Sequence, residues 1–157
     1  MATVVRAGVV TGVSDFLWAC ALSVGVYGST FAQLWQGVAS VPLGVAARDG
    51  GVATVVAGIA LHFCVALAWT TLFVLLCRAL PALQQAIRSL PGALAVAAVY
   101  GPMIWAAMSL LVIPLFTHRP PTVALRWWIQ LAGHFVFVGA PLVLTVRQAG
   151  DRGALSP

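Results

Sequence analysis

The chain has no lysine and no glutamate, and charged residues make up 7% of its 157 positions. A water-facing globular surface cannot be built from that supply, so a soluble domain is excluded at once. Acidic residues are reduced to Asp15, Asp49 and Asp151, which removes the paired carboxylates of acid–base hydrolysis. Cysteine is scarce and unpaired in pattern: Cys20, Cys64 and Cys77 form no CxxC motif, so they read as small buried apolar residues rather than a disulfide framework or a zinc site. No HExxH, no Gly-rich phosphate loop ending in lysine and no GxSxG elbow occurs, and enzyme chemistry of the soluble kind is not expected. The arginines are spread singly, so the net charge of +5 makes no basic patch and gives no argument for nucleic acid.

What is present is hydrophobic length. Hydrophobic residues are 62% of the chain and gather in four runs, Ala7 to Ala32, Val52 to Cys77, Gly92 to Phe116 and Ala124 to Val146. Each exceeds the roughly 20 residues with which a helix crosses a hydrocarbon core, and in lipid only a helix or a closed barrel satisfies its own backbone. The ten-residue alternation of a barrel is missing. The sequence therefore predicts an all-α, integral membrane four-helix bundle, residues 1–157 forming a single transmembrane domain with the lipid bilayer as its first partner. The first run has an early Arg6 and a Thr30-Phe31-Ala32 that resembles a cleavage site, but its length and Asp15 identify it as helix 1 rather than a signal peptide.

Between helices 1 and 2, Gln33, Gln36, Ser40 and Gly44 recur at spacings of three or four, opposite Leu34, Trp35, Val38 and Val41. This predicts a short amphipathic helix lying in the interface, with Trp35 at headgroup level. The second connection, Arg78 to Pro91, is bracketed by Pro81 and Pro91 and predicts a compact turn with one helical turn inside; the third is broken by Pro120-Pro121. Gly150 to Pro157 is expected to fray. Four spans put both termini on one side. Arg6, Arg78, Arg88, Arg147 and Arg152 flank that side, against Arg48, Arg119 and Arg126 on the other, so the positive-inside rule predicts cytoplasmic termini.

Polar residues inside the spans fall on one face of each helix. Helix 4 carries Arg126, Gln130, His134, Pro141 and Thr145; helix 2 carries Thr54, Gly58, His62, Trp69 and Thr70; helix 1 carries Gly8, Thr11, Gly12, Asp15 and Ser23. Such stripes of small and polar residues pack inward in a membrane. Helices 2 and 4 run in the same direction, and His62 and His134 each lie about ten residues, roughly 15 Å, past the start of their helix, so they are expected level. Asp15 lies within roughly 10 Å of that depth, with Tyr100 level with Asp15 and Ser109 nearer the histidines. An ionisable group at such depth costs at least ~2.5 kcal/mol when charged and is a functional candidate.

Three readings fit these groups. Asp15, His62, His134, Gln130, Tyr100 and Ser109 are interhelical hydrogen-bonding glue; or they form a proton or small-ion path, since an ordinary imidazole titrates near pH 6.5 and the breaks at Gly101-Pro102 and Pro141 admit water or bending; or His62 and His134 ligate a haem b from both sides, with Gly58 and Gly133 making room, Phe63 and Phe135 packing on the ring, and Arg48 or Arg126 meeting the propionates. A homo-oligomer or a membrane-protein partner is compatible with all three.

The runs Leu34 to Ser40, Gly58 to Phe63, Met108 to Leu115 and His134 to Leu142 resemble, in order and spacing over nearly the whole chain, a group of small bacterial four-helix inner-membrane proteins. That pattern also has an acidic residue in its first helix, here Asp15, and a histidine in its second and fourth, here His62 and His134. Ser109 stands where the group tends to have asparagine, so an amide-dependent role does not carry over. The resemblance implies a bacterial inner-membrane location and a four-helix fold, and it implies no activity.

Overall fold

The computed structural model describes residues 1–150, and among them there is helix and no strand. Four helices are long and apolar enough to cross a membrane: α1 (Ala2–Val26), α3 (Gly51–Ala79), α5 (Leu90–Thr117) and α6 (Leu125–Gly150). Two shorter ones join them, α2 (Phe31–Leu43) and α4 (Pro81–Ala86). The expected all-α four-helix architecture is present. Arg152 and most of the expected frayed tail lie outside the described residues.

The first span ends earlier than the hydropathy suggests. Gly28 takes φ +68°, a conformation that suits a residue without Cβ, and turns the chain out of α1. Thr30 then caps a new helix: its hydroxyl accepts from the Gln33 amide at 3.1 Å, and the Gln33 side chain accepts from the Thr30 amide at 2.9 Å. This capping box satisfies two orphan donors reciprocally and fixes the start of α2 within the apolar run expected to be helix 1.

Of the two expected breaks, the one at Gly101-Pro102 is absent and the one at Pro141 lies just upstream of its proline. The helix passes through Gly101-Pro102 without a break. It widens instead into π turns at Met108–Val112 and Phe135–Gly139, each ending two residues before a proline, Pro114 and Pro141. A proline lacks an amide hydrogen and its ring crowds the carbonyl four residues back, so a wider turn upstream relieves the clash. A third π turn, Ala21–Val26, closes α1.

Around the bundle, α3 packs on α1, α1 on α6, and α6 on α5. Small residues set these approaches. A Cβ at Gly101 of α5 would strike the His134 carbonyl of α6, and one at Gly139 would strike the Ala97 carbonyl, so both positions bring backbones into contact. Gly8 and Gly12 of α1 face Leu67 and Phe63 of α3, as the GxxxG stripe requires. α3 and α5 share no extended backbone contact among the described residues; on the terminal side they meet through side chains, the Tyr100 ring lying tilted against Phe73 at 4.7 Å and its hydroxyl donating to the Trp69 carbonyl at 2.9 Å. Beneath this contact Phe73, Leu142, Val143 and Val146 make a dry, fully packed plug. The outer faces keep Val9, Leu17, Val56, Leu75 and Leu110 exposed, which suits a lipid solvent.

The helix expected between helices 1 and 2 exists as α2, but its orientation corrects the expectation. Trp35 is 1% exposed, not at headgroup level; its backbone lies against Gly58 of α3 and its ring stacks on Phe16 at 4.6 Å. Gln36, expected on the polar side, is buried and donates to the Gly51 carbonyl at 3.2 Å. Gly58 leaves a groove in α3, and the backbone of α2 at Trp35 fills it. α2 also touches the last turn of α5, so it bridges the two helices that do not otherwise pack at this end.

Candidate functional site

The space between α3 and α5, roofed by α2 and backed by α1 and α6, is a cavity of about 770 Å³. Its mouth lies on the connection side, where Arg48 and Arg119 line it, and it ends at Thr11, Ile104 and Leu142, above the packed plug. Asp15, His62, His134 and Ser109 all line this one cavity, so four of the six residues expected in the polar core come together.

Asp15 and His62 form its most polar part. The Nε2 of His62 lies 2.9 Å from the Gly12 carbonyl, which only accepts, so Nε2 carries the hydrogen. This bond is possible because Gly12 lets α3 close on α1. It turns the other nitrogen, Nδ1, toward Oδ2 of Asp15 at 3.8 Å, within ion-pair range but beyond a hydrogen bond. The two side chains are 12% and 24% exposed. Phe16, Trp35 and Phe63 surround the imidazole edge-on.

His134 is fixed by the opposite nitrogen. Its Nδ1 donates to the Gln130 carbonyl one turn back, at 2.7 Å, and its ring lies against Trp105 at 4.9 Å. Nε2 has no hydrogen-bond partner among the described residues, and in the neutral ring it is an acceptor. His62 is anchored to α1 at Gly12, and Gly133, beside His134, packs on Trp18 of α1. Both histidines therefore hang on α1, one through its backbone and the other through the Trp18 indole.

Ser109 serves two tryptophans. It donates to the Trp105 carbonyl at 2.7 Å and accepts from the Trp127 indole at 2.9 Å, while the Trp105 indole donates to the Trp127 carbonyl at 3.1 Å. This closed set fastens α5 to α6 along the cavity wall. Gln130 and Tyr100 stay outside the cavity: Gln130 accepts from the Trp18 indole at 2.8 Å, and Tyr100 belongs to the contact above the plug. Both act as interhelical glue.

Thr11 was not singled out as a site residue, yet it is 2% exposed, lines the cavity floor, and its hydroxyl has no partner among the described residues. The signal was its place one helical turn before Asp15. Arg126 is held away from the cavity, donating to Ser23 Oγ at 2.8 Å and lying over the Tyr27 ring at 4.5 Å.

A bis-histidine haem does not fit this arrangement. The Nε2 of His62 is committed to Gly12, and its Nδ1 faces a carboxylate. Gly58 and Gly133, expected to admit the ring, are filled by the Trp35 backbone and the Trp18 indole. Comparison with protein-family models, with curated proteins and with solved structures finds no match to this chain.

Proposed function

We propose that this is a multi-pass protein of the bacterial inner membrane whose cavity gives protons access, from the connection side, to the Asp15–His62 pair. The observation that carries the reading is the tautomer. With Nε2 held on Gly12, Nδ1 of His62 and the Asp15 carboxylate are the two acceptors that face each other, and one proton between them turns a repulsive lone-pair contact into an attractive one. The Nε2 of His134 is a third acceptor on the same cavity. Around His62 the charged or titratable groups are Asp15 from α1, His134 from α6, and Arg48 and Arg119 at the mouth; α2 presents the uncharged Trp35.

The dry plug below Tyr100 argues for uptake and release from one side rather than an open pore. Passage to the terminal side then needs the Tyr100–Trp69 contact to part. The arginine bias supports a mouth on the periplasmic face. In this reading the protein is a small accessory or channel-like component, not an enzyme.

Infrared difference spectra of the protein in liposomes, recorded across a pH step, test the core claim. A band that appears across the step in the wild type and is lost in both Asp15→Asn and His62→Ala is the expected result. A wild-type spectrum with no such band removes the proposal.

A further inference from the structure

We infer that the cavity also takes an anionic phospholipid from the surrounding leaflet, its phosphate held between Arg48 and Arg119 and one acyl chain lying between α3 and α5. Three observations point the same way. First, the charge is one-sided. Both arginines line the mouth, are exposed, and have neither an ion-pair nor a hydrogen-bond partner among the described residues, although Asp49 adjoins Arg48. Two arginines against the single carboxylate of Asp15 leave the cavity net positive while the histidines are neutral, and an anion is the complementary ligand.

Second, the space behind the arginines is apolar and long. Val41, Leu61, Val112 and Phe116 line the cavity between the mouth and the His62 level, which lies about eleven residues, roughly 16 Å, below the start of α3. A volume of about 770 Å³ is within the range of sites that enclose an organic ligand. Third, α3 and α5 share no extended backbone contact beside it, so a chain can enter sideways from the bilayer while its head stays at the interface. A small soluble anion uses the first feature and leaves the other two without purpose.

The inference stands apart from proton uptake in its observations and meets it in one consequence. An acyl chain at the His62 level displaces the water through which a proton reaches Asp15. Lipid occupancy and proton uptake are therefore competing states of one cavity.

Quenching of tryptophan fluorescence by brominated lipids decides the matter, because Trp69, Trp105 and Trp127 line the cavity. A Trp128→Phe background removes an indole that is 56% exposed on the outer surface. In phosphatidylcholine nanodiscs, a minor fraction of chain-brominated phosphatidylglycerol should quench more than the same fraction of chain-brominated phosphatidylcholine. The preference should fall about fivefold for each of Arg48→Gln and Arg119→Gln, given the ordinary contribution of one arginine near an anionic head. Equal quenching by the two lipids in the arginine-intact protein overturns the inference without reference to any variant. A brominated fatty acid that quenches as strongly as phosphatidylglycerol, with the same arginine dependence, overturns the lipid assignment in favour of a free acid. Neither outcome touches the pH-dependent infrared change of the Asp15–His62 pair, so the two proposals fail separately.

Discussion

The backbone of Trp35 lies directly on Gly58, where α2 crosses α3. The indole beyond it stacks on Phe16 and meets His62 edge-on at 5.2 Å, so one glycine decides how α2 roofs the cavity. The Trp35 indole N–H makes no hydrogen bond of good geometry among the described residues, with the Cys20 thiol beside it. A Gly58→Val side chain would overlap the Trp35 carbonyl. Overpacking of this kind costs about 1–3 kcal/mol. The expected outcome is a protein that still inserts, unfolds at lower denaturant, and shows a Trp35 more readily quenched from water. Unchanged quenching and stability would mean that α2 is not held at Gly58.

Asp15→Asn removes the carboxylate that faces Nδ1 of His62, and His62→Ala removes the imidazole that orients it. Each variant should lose pH-dependent proton binding by the protein in nanodiscs, read with a pH-indicator dye, the first by losing an acceptor and the second by losing its partner. His134→Ala should weaken uptake less, because its Nδ1 is tied to its own helix and only Nε2 is free to receive. Uptake that survives both Asp15→Asn and His62→Ala would sink the relay.

The spans and the inward polar faces were legible because a bilayer imposes both: a run of about 20 apolar residues to cross, and small or polar stripes to pack. Asp15, His62, His134 and Ser109 reach one cavity for that reason. Hydropathy could not see the end of α1, since Phe31 and Ala32 continue the apolar run, although Thr30 and Gln33 carried the capping signal three residues apart. Periodicity found α2 but not which way it faces, because the groove at Gly58 belongs to a different helix. Tyr100 and Gln130 lie in the polar stripes but off the cavity, because a polar stripe does not say whether its members meet a cavity or a neighbour's carbonyl or indole. The prolines marked the kinks only once the turn that yields lay upstream of them.

Ser109 is both donor and acceptor in the set that joins α5 to α6. Ser109→Ala leaves the Trp127 indole N–H without its acceptor. Interhelical bonds in membranes average ~0.6 kcal/mol and reach ~1.7, so a loss in that range is expected from unfolding in mixed micelles. Trp127→Phe in the Ser109→Ala background should then cost little more, as the two share one bond. Additive losses would show that the bond contributes nothing.

The haem alternative yields to a visible spectrum. With Nε2 of His62 on Gly12 and the neighbouring glycines filled, detergent-purified protein from haem-replete cells should be colourless. A Soret band lost in both His62→Ala and His134→Ala would restore the bis-histidine site and overturn the tautomer assignment.

Orientation rests on the arginines, and it decides which compartment the cavity faces. Arg6 donates to Gln148 at 3.4 Å and Arg147 to the Arg88 carbonyl at 3.1 Å, which gathers the terminal-side positive charge at one end of the bundle. Arg48 and Arg119 mark the other end, at the mouth. Reporter fusions at both termini should therefore read as cytoplasmic, and one in the connection at His118 to Ala124 as periplasmic. Removing two charges from the terminal side, with Arg78→Ala and Arg88→Ala, leaves Arg6, Arg147 and Arg152 against Arg48, Arg119 and Arg126. The bias is then gone, and the reporters should show a mixed population. A uniform cytoplasmic C-terminus in that variant would show that something other than the arginines sets the topology. A periplasmic C-terminus in the unaltered protein would turn the cavity mouth, and its proton supply, toward the cytoplasm.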